Sequence, residues 1–330
     1  MNRNVLSRRV LAGVALAALA LAGCGGNNND DASSTGGGNG ATALSGAVSI
    51  DGSSTVAPLS EAAAEIFKEE QSGVNVTVGT SGTGGGFEKF CKGETDISDA
   101  SRPIKDDAKE KQACDAAGIK FTEYNVATDA LTVVVSKENT WAECLTVEQL
   151  NKIWKPDSTV KTWKDVDPKF PAEPLGKDQL FGPGTDSGTF DYFTEEINGE
   201  TDASRADYTA SENDNVLVQG VAGTKSALGY FGYSYYELNQ DKLKALQVDG
   251  GSGCVAPSVE TAQNGTYTPL SRPLFIYVNN KSLADKPQVG GFVDFYVENI
   301  DEITTEAKFV PLNPEQKAKL TAAHESAKQG

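Results

Sequence analysis

The chain has 330 residues, of which 38% are hydrophobic and 23% are charged. This composition indicates a folded protein rather than a disordered one, and the length allows two domains or one large one. Acidic residues outnumber basic ones by 46 to 29, for a formal net charge of −17, which argues against nucleic acid as a partner because phosphate backbones bind clustered Lys and Arg. The only histidine is His324, so we expect no His-rich metal site, no cofactor and no enzyme built on Ser-His or Cys-His catalysis.

The N-terminal segment has the pattern of an export signal. Arginines precede an apolar run at residues 10–22, which is typical of a signal peptide and short for a membrane span. The run ends in Leu21-Ala22-Gly23-Cys24, which resembles a bacterial lipobox, where the cysteine is lipidated and becomes the mature N-terminus; a signal-peptidase site beside an unrelated cysteine is the alternative. We predict a lipoprotein signal peptide over residues 1–24 and a flexible linker over residues 25–45, which are rich in Gly, Asn and Ser.

Four more cysteines follow the linker: Cys91, Cys114, Cys144 and Cys254. An even number in an exported chain indicates two disulfides, for which three pairings exist. We favour Cys91–Cys114, because both flank helical segments about one supersecondary unit apart, and this leaves Cys144–Cys254. A zinc site is the alternative, although the sequence contains no Cys-x-x-Cys spacing.

Strands and helices alternate along the rest of the chain. Hydrophobic periodicity and turn residues predict strands at 47–50, 74–78, 96–100, 119–125, 131–136, 180–181, 227–233 and 274–279. They predict helices at 58–70, 87–91, 105–117, 147–154, 190–197, 215–222, 289–299 and 314–328. This order favours an α/β architecture with a largely parallel sheet.

Three glycine- and hydroxyl-rich turns lie where a predicted strand runs into a helix, at residues 51–55, 80–86 and 184–189. A helix N-terminus has unpaired N–H groups and a partial positive charge, and small residues let an anion approach the backbone. Ordinary helix capping explains any one turn. Three such turns in one chain favour a site that surrounds a small tetrahedral oxyanion with neutral donors.

Two arginines occur in Ser-Arg-Pro sequences. Arg102 follows a short predicted strand and is the best candidate for a bidentate contact to an oxyanion; an ion pair with Asp106 or Asp107 is the alternative. Arg272 precedes the predicted strand at 274–279. It is either a second ligand or a structural ion-pair partner near a crossover, and we favour the structural role.

Four motifs together resemble the PstS family, the phosphate-binding lipoproteins or periplasmic proteins of the high-affinity phosphate ABC importer. They are Asp51-Gly52-Ser53-Ser54-Thr55-Val56-Ala57-Pro58, Ser81-Gly82-Thr83-Gly84-Gly85-Gly86-Phe87, Asp99-Ala100-Ser101-Arg102-Pro103-Ile104 and Gly182-Pro183-Gly184-Thr185-Asp186-Ser187-Gly188-Thr189-Phe190-Asp191. The resemblance runs from about Ser45 to the last helix. It implies a two-lobed α/β fold of the type II periplasmic-binding-protein kind, with mixed sheets flanked by helices and phosphate in the cleft.

The resemblance also implies domain bounds, partners and site residues. Lobe I would comprise residues 46–128 and 271–330, and lobe II residues 129–270. The partners would be inorganic phosphate and the permease subunits of the importer. The lipobox adds the outer face of the bacterial cytoplasmic membrane, through the lipid on Cys24, and we expect the protein itself to be a monomer. The resemblance places Ser54, Thr55, Ser81, Thr83, Ser187, Gly188 and Thr189 among the phosphate-binding residues, and we add Ser101 and Arg102 from the first Ser-Arg-Pro sequence.

Two departures from the family pattern concern charge. Arg102 stands where many members have an Asp that accepts the proton of hydrogen phosphate, and Pro183 stands where many have an Arg. The resemblance then leaves Asp99 or Asp186 to supply the acceptor for the phosphate proton.

The alternatives to a phosphate receptor are a receptor for another tetrahedral oxyanion such as sulfate or molybdate, a secreted hydrolase, and a surface adhesin.

Overall fold

The computed structural model describes residues 43–329. The predicted signal peptide, the lipidation site at Cys24 and the predicted linker up to residue 42 lie outside the described residues. Within the part that is described, no helix has both the length and the apolar character needed to cross a membrane.

The described part of the chain folds into short strands and helices. The strands are β1 (Gly46–Gly52), β2 (Val74–Gly79), β3 (Ile97–Ala100), β4 (Phe121–Ser136), β5 (Cys144–Thr146), β6 (Leu180–Gly182), β7 (Thr209–Ala210), β8 (Leu228–Gly232), β9 (Leu243–Ala245), β10 (Gln247–Asp249), β11 (Cys254–Val255) and β12 (Ser271–Asn279). The helices are α1 (Ala57–Glu70), α2 (Gly82–Cys91), α3 (Lys111–Ala116), α4 (Val147–Trp154), α5 (Trp163–Val166), α6 (Gly188–Phe193), α7 (Asp214–Ala222), α8 (Tyr233–Glu237), α9 (Val259–Gln263), α10 (Asn280–Asp285), α11 (Pro287–Glu298), α12 (Ile300–Glu306) and α13 (Pro314–Gln329). A π-helical turn, Thr194–Asn198, continues α6.

The main sheet is mixed, as the family resemblance implied. The alternation of strands and helices had predicted a largely parallel sheet, and that prediction is wrong. Its strand order is β2-β1-β3-β12-β4-β8-β6-β7, with β9 also paired to β4. Strand β1 is parallel to β2 and β3, and β6 is parallel to β7 and β8. Strand β12 is antiparallel to β3 and β4, and β4 is antiparallel to β8. The predicted strands at 119–125 and 131–136 are therefore parts of one strand, β4, whose first part pairs with β12 and whose second part pairs with β8.

The predicted helix at 105–117 forms only over α3. The Glu110 carboxylate accepts a hydrogen bond from the Lys105 backbone N–H at 2.6 Å and also binds Arg102. These contacts hold residues 105–110 in an irregular turn, because a side chain that binds nearby backbone competes with helix formation.

The buried side chains form two large hydrophobic cores. The first core draws on residues 48–127 and 274–320, and in it Phe67 packs edge-on against Phe292 with ring centroids 5.5 Å apart. The second core draws on residues 131–270. Aromatic pairs of this kind each contribute about 0.5–1.5 kcal/mol beyond the area they bury. Strand β4 contributes to both cores, so its middle marks the passage of the chain from one to the other.

Helix α1 holds the turn at residues 51–55 in a fixed position. Pro58 fits the first turn, where a missing N–H costs nothing, and the buried face repeats at helical spacing through Leu59, Ala63 and Phe67. This face anchors the helix on the first core. The turn at residues 51–55 is thereby held at the N-terminal end of α1.

The two disulfides have the favoured pairing. Cys91 at the end of α2 is joined to Cys114 in α3, and Cys144 in β5 is joined to Cys254 in β11. The prediction of both bonds is confirmed, and the zinc alternative is wrong. No group of His, Cys, Asp or Glu side chains between residues 43 and 329 is arranged to hold a metal ion.

Candidate anion site

A polar cavity of about 440 Å³ lies where elements from both cores meet. One wall is formed by the turn before α1, the start of α2 and the loop after β3. The other wall comes from α6, the π-helical turn and the first residues of β12. The lining residues are Ser53, Ser54, Thr55, Gly82, Thr83, Gly84, Ser101, Arg102, Pro103, Lys105, Asp191, Tyr192, Glu195, Glu196, Thr201 and Arg272.

The first turn is built on a glycine that no other residue can replace without strain. Gly52 has a φ of +152°, and a Cβ there would lie 2.8 Å from the Asp99 nitrogen. The next residue, Ser53, donates its backbone N–H to the Asp99 carbonyl at 2.9 Å. The turn is therefore fixed against the end of β3.

Two hydroxyls of this turn reach across to α6. The Ser54 hydroxyl donates to the Asp191 carboxylate at 3.2 Å, and the Thr55 hydroxyl donates to the Gly188 carbonyl at 3.3 Å. The contact is close, since a Cβ on Gly188 would lie 2.8 Å from the Thr55 nitrogen. Elements of the two cores are thus in direct contact at this turn.

The second turn divides its hydroxyls between two environments. Thr83 lines the cavity, and its hydroxyl lies 3.1 Å from that of Ser101. The Ser81 hydroxyl instead donates to Asp51, which forms an ion pair with Lys89 at 2.6 Å. Burial raises the pKa of Asp51, but the hydrogen bonds from Lys89 and Ser81 outweigh it and hold that pKa below its usual value. Ser81 is not among the residues that line the cavity.

The third turn contacts the first turn rather than lining the cavity. Ser187 caps α6 by accepting the Thr189 N–H at 3.2 Å. Gly188 packs against Thr55, and Thr189 lines a different cavity of about 410 Å³ together with Asp129 and Asp214. Of the predicted site residues, the structure brings Ser54, Thr55, Thr83, Ser101 and Arg102 to one cavity, whereas Ser81, Ser187, Gly188 and Thr189 do not line it.

Arg102 lines the cavity while its charge is paired with a residue that the sequence did not indicate. Its two terminal nitrogens bind the Glu110 carboxylate at 2.6 and 3.0 Å, and the partner is neither Asp106 nor Asp107. Burial raises the pKa of Glu110, but the hydrogen bonds from Arg102 and from the Lys105 backbone leave that pKa below its usual value.

Neither suggested proton acceptor lines the cavity. Asp99 is fully buried and binds Ser60, and Asp186 is exposed. The carboxylates that line it are Asp191, Glu195 and Glu196. Burial raises the pKa of both Asp191 and Glu196. The sequence signal for this acidic wall is the i, i+4 spacing of Asp191 and Glu195, which places these two on one face of the helix that begins at the third turn.

Arg272 has the structural contact that the sequence favoured. Its Nε lies 3.4 Å from the Asp129 carboxylate, across the β12–β4 pair near the crossover. It also lines the cavity, so the structural role does not remove it from the site.

This combination of a mixed α/β sheet, two cores and a polar cavity between them defines a type II periplasmic binding fold, which confirms the predicted fold class. The model of the PBP superfamily domain matches residues 33–299 of the chain. A crystal structure of a possible phosphate binding protein from Planctomyces limnophilus aligns with a TM-score of 0.81 at 49% identity, covering 86% of this chain and 99% of that one.

Two relatives match over most of their own length. Protein SphX of Synechococcus elongatus is 49% identical over 293 residues, which is 88% of this chain and 85% of the relative. The phosphate-binding protein PstS of Staphylococcus saprophyticus is 43% identical over 311 residues, which is 92% of this chain and 91% of the relative. The chain belongs to the PBP superfamily and, within it, to the family of PstS and SphX.

Proposed function

We propose that this protein is an extracytoplasmic solute-binding protein that captures inorganic phosphate in the cavity and delivers it to an ABC importer. The observation that carries the proposal is the convergence of hydroxyls from separate turns with two arginines on one cavity. Family membership supports the same ligand and a permease as the second partner. The family also bears out the prediction that the chain is a binding protein and not an enzyme.

The proposed ligands are the hydroxyl and amide donors of the first two turns together with the arginines. A charge-assisted hydrogen bond contributes about 1.5–3 kcal/mol net. Several of them together exceed the cost of dehydrating and ordering a small ion, so micromolar or tighter affinity is within reach. Within this proposal, Gly188 supports the site through its contact with Thr55, Ser187 and Thr189 support it through the cap of α6, and Ser81 supports it through Asp51.

The proposed mechanism of capture is closure of two lobes, residues 46–128 with 271–330 and residues 129–270. Two separate hydrophobic cores, joined through strands β4 and β12, support this division. Closure would bring the remaining donors onto the ion, and the closed form would be the one that the permease recognises. Lipidation at Cys24, anchoring at the outer face of the cytoplasmic membrane and a monomeric state complete the proposal.

Titration calorimetry tests the ligand. We expect phosphate to bind the purified protein with a dissociation constant of about a micromolar or less. Sulfate and molybdate, measured in the same buffer, should give no heat at matched concentrations, because neither carries a proton for the carboxylates that line the cavity. Binding of sulfate without binding of phosphate would contradict the proposal.

Removing the Cys91–Cys114 disulfide is expected to weaken phosphate binding as well as stability. The bond joins α2, which contributes Thr83 to the cavity, to α3, which follows the Glu110 partner of Arg102. The double substitution Cys91→Ala/Cys114→Ala should therefore raise the dissociation constant about tenfold, or about 1.4 kcal/mol. The 23-residue separation predicts a loss of about 3 kcal/mol in the free energy of unfolding, measured by chemical denaturation.

The second disulfide supplies the matched control. Cys144 and Cys254 are 110 residues apart, so Cys144→Ala/Cys254→Ala should cost more stability, about 5 kcal/mol. Neither residue lines the cavity, and phosphate affinity should stay within about threefold of wild type in the folded protein. Equal losses of affinity in the two variants would show that the effect on binding is one of general stability.

A further inference from the structure

Arg272 touches elements of both cores with one side chain. Its Nη2 donates to the Thr55 hydroxyl at 2.9 Å, in the turn that leads into α1. Its guanidinium lies 3.6 Å from the ring centroid of Tyr192, on α6. It pairs with Asp129 on β4, at the point where that strand passes from the first core to the second. Among the arginines that line the cavity, it alone lies at this junction.

Part of the hydrogen-bonding capacity of Arg272 is unused. A guanidinium has five N–H donors, of which two belong to Nη1. Within residues 43–329, the hydrogen bonds of Arg272 are made by Nε and Nη2 only. The side chain is nevertheless only 15% exposed. Arg102 differs, since both of its terminal nitrogens are bound to Glu110.

The counter-ion of Arg272, Asp129, meets the guanidinium through one long contact. Asp129 is 5% exposed, and its carboxylate meets Nε at 3.4 Å without reaching Nη1. Burial raises the pKa of Asp129 even though Arg272 favours the ionised form. A cation that is mostly withdrawn from water, with an unused pair of donors and a position in the wall of a polar cavity, is stabilised by an oxyanion that accepts those donors.

We infer that Arg272 is the charged ligand through which occupancy of the cavity holds the elements of the two cores together. A small oxyanion accepts hydrogen bonds from Nη1. Nη2 retains its hydrogen bond to the Thr55 hydroxyl, and the guanidinium plane remains stacked on the Tyr192 ring. This inference rests on the proposed function and deepens it, because it assigns to one residue the coupling between binding and closure.

The inference requires an arginine and not simply a positive charge. The planar guanidinium can stack on Tyr192 and donate from its edge to Thr55 and to the ion at the same time. A lysine at this position keeps the charge but has all its donors on one nitrogen and no plane to stack on Tyr192. The ligand class is therefore an oxyanion with at least two oxygens able to accept hydrogen bonds, for which inorganic phosphate is the probe.

The experiment compares Arg272→Lys and Arg272→Gln with Lys68→Gln as the control. Lys68 is exposed on α1 and does not line the cavity, so its variant removes one positive charge without changing the site. Phosphate affinity is measured by calorimetry, and closure by the decrease in radius of gyration that phosphate produces in X-ray scattering. We expect about tenfold weaker binding for Arg272→Lys and about 100-fold for Arg272→Gln, with most of the decrease in radius lost in both.

The control is expected to lose less than about threefold in affinity and to contract as the wild type does. Circular dichroism checks the fold, and Arg272→Lys decides alone if the glutamine variant does not fold. If Arg272→Lys binds within about threefold of wild type and contracts normally, the inference is wrong and the proposed function stands. If the wild-type protein does not bind phosphate at all, the proposed function is wrong and the inference falls with it.

Discussion

Replacing Gly52 with alanine is expected to lower the free energy of unfolding by about 3–5 kcal/mol, a large effect for a single substitution. The φ of +152° is costly for a residue with a Cβ. The new methyl group would also lie inside van der Waals contact of the Asp99 carbonyl oxygen and 2.8 Å from the Asp99 nitrogen. Both are backbone atoms of the β1–β3 pair and cannot move aside as a flexible side chain can. Chemical denaturation measures the loss.

Gly118→Ala is the control for a side chain at a positive φ. Gly118 has a φ of +70°, and a Cβ there would meet no atom within 4 Å, so this variant carries the backbone strain without the clash. We expect it to lose about 1–2 kcal/mol. The two substitutions restrict the unfolded chain equally, and their difference therefore reports the close approach at Gly52 together with the greater strain of a side chain at φ +152° than at +70°. Similar losses in both variants would mean that β1 and β3 can separate at little cost.

The effect at Gly52 reaches the cavity because the next three residues of the chain build the first turn. Ser53 donates to the same Asp99 carbonyl, and Ser54 and Thr55 line the site. A displaced turn would misplace both hydroxyls with respect to α6. We expect the Gly52→Ala protein to bind phosphate weakly even at temperatures where it is folded.

The sequence predicted the strand-to-helix turns because their signals are local. Glycine followed by hydroxyl residues and then by a helical apolar pattern is readable within about ten residues. The structure has such a turn before α1, at the start of α2 and before α6. The same locality explains why the pairing of Cys91 with Cys114, across one supersecondary unit, could be favoured from the sequence.

Which hydroxyls line the cavity depends on contacts between distant parts of the chain. Arg272 and Thr55 are 217 residues apart, and Ser54 and Asp191 are 137 apart. Ser81 does not line the cavity, and its hydroxyl donates to the Asp51 carboxylate instead. No local pattern distinguishes a serine that binds its own protein from one that is available to a ligand.

The ion-pair partner of Arg102 also depends on the folded structure rather than on distance in the sequence. Asp106 and Asp107 are closer to Arg102 in sequence than Glu110 is, and sequence distance alone favoured them. Arg102 pairs with Glu110 because Glu110 is buried beside α2 and also accepts the Lys105 N–H, so that its carboxylate has two donors at once. Similarly, the mixed sheet arises because β12 returns from the far end of the chain to insert between β3 and β4, and short-range patterns carry no information on that return.

Asparagine in place of Asp99 is expected to remove a large part of the pH dependence of stability. Asp99 is fully buried behind the first turn, with one carboxylate oxygen bound to the Ser60 hydroxyl at 2.9 Å. The other oxygen has no hydrogen-bond partner among the described residues. Burial raises the pKa of Asp99 to about 8, whereas an unfolded Asp titrates near about 3.9.

The direction of the pH dependence is set by which state holds the proton. Between about pH 4 and pH 8 the unfolded chain has released the proton of Asp99 and the folded protein keeps it, so the free energy of unfolding falls as the pH rises. The slope from this one group is up to about 1.4 kcal/mol per pH unit. Below about pH 4 both states are protonated and the contribution to stability is fully present.

Measuring the difference between Asp99→Asn and wild type cancels the titration of all other groups. We expect the variant to gain stability relative to wild type as the pH is raised from about 5 to about 8, and the difference to level off above about pH 8. Asp186→Asn removes the same formal charge from an exposed position and should change stability at about pH 8 by less than about 0.5 kcal/mol. A difference between Asp99→Asn and wild type that does not change with pH would mean that the interior of the first core tolerates an ionised Asp99. The carboxyl group of Asp99, behind the first turn, would then carry a negative charge at neutral pH. That charge would repel a phosphate bound in the cavity, whereas a neutral acid would not.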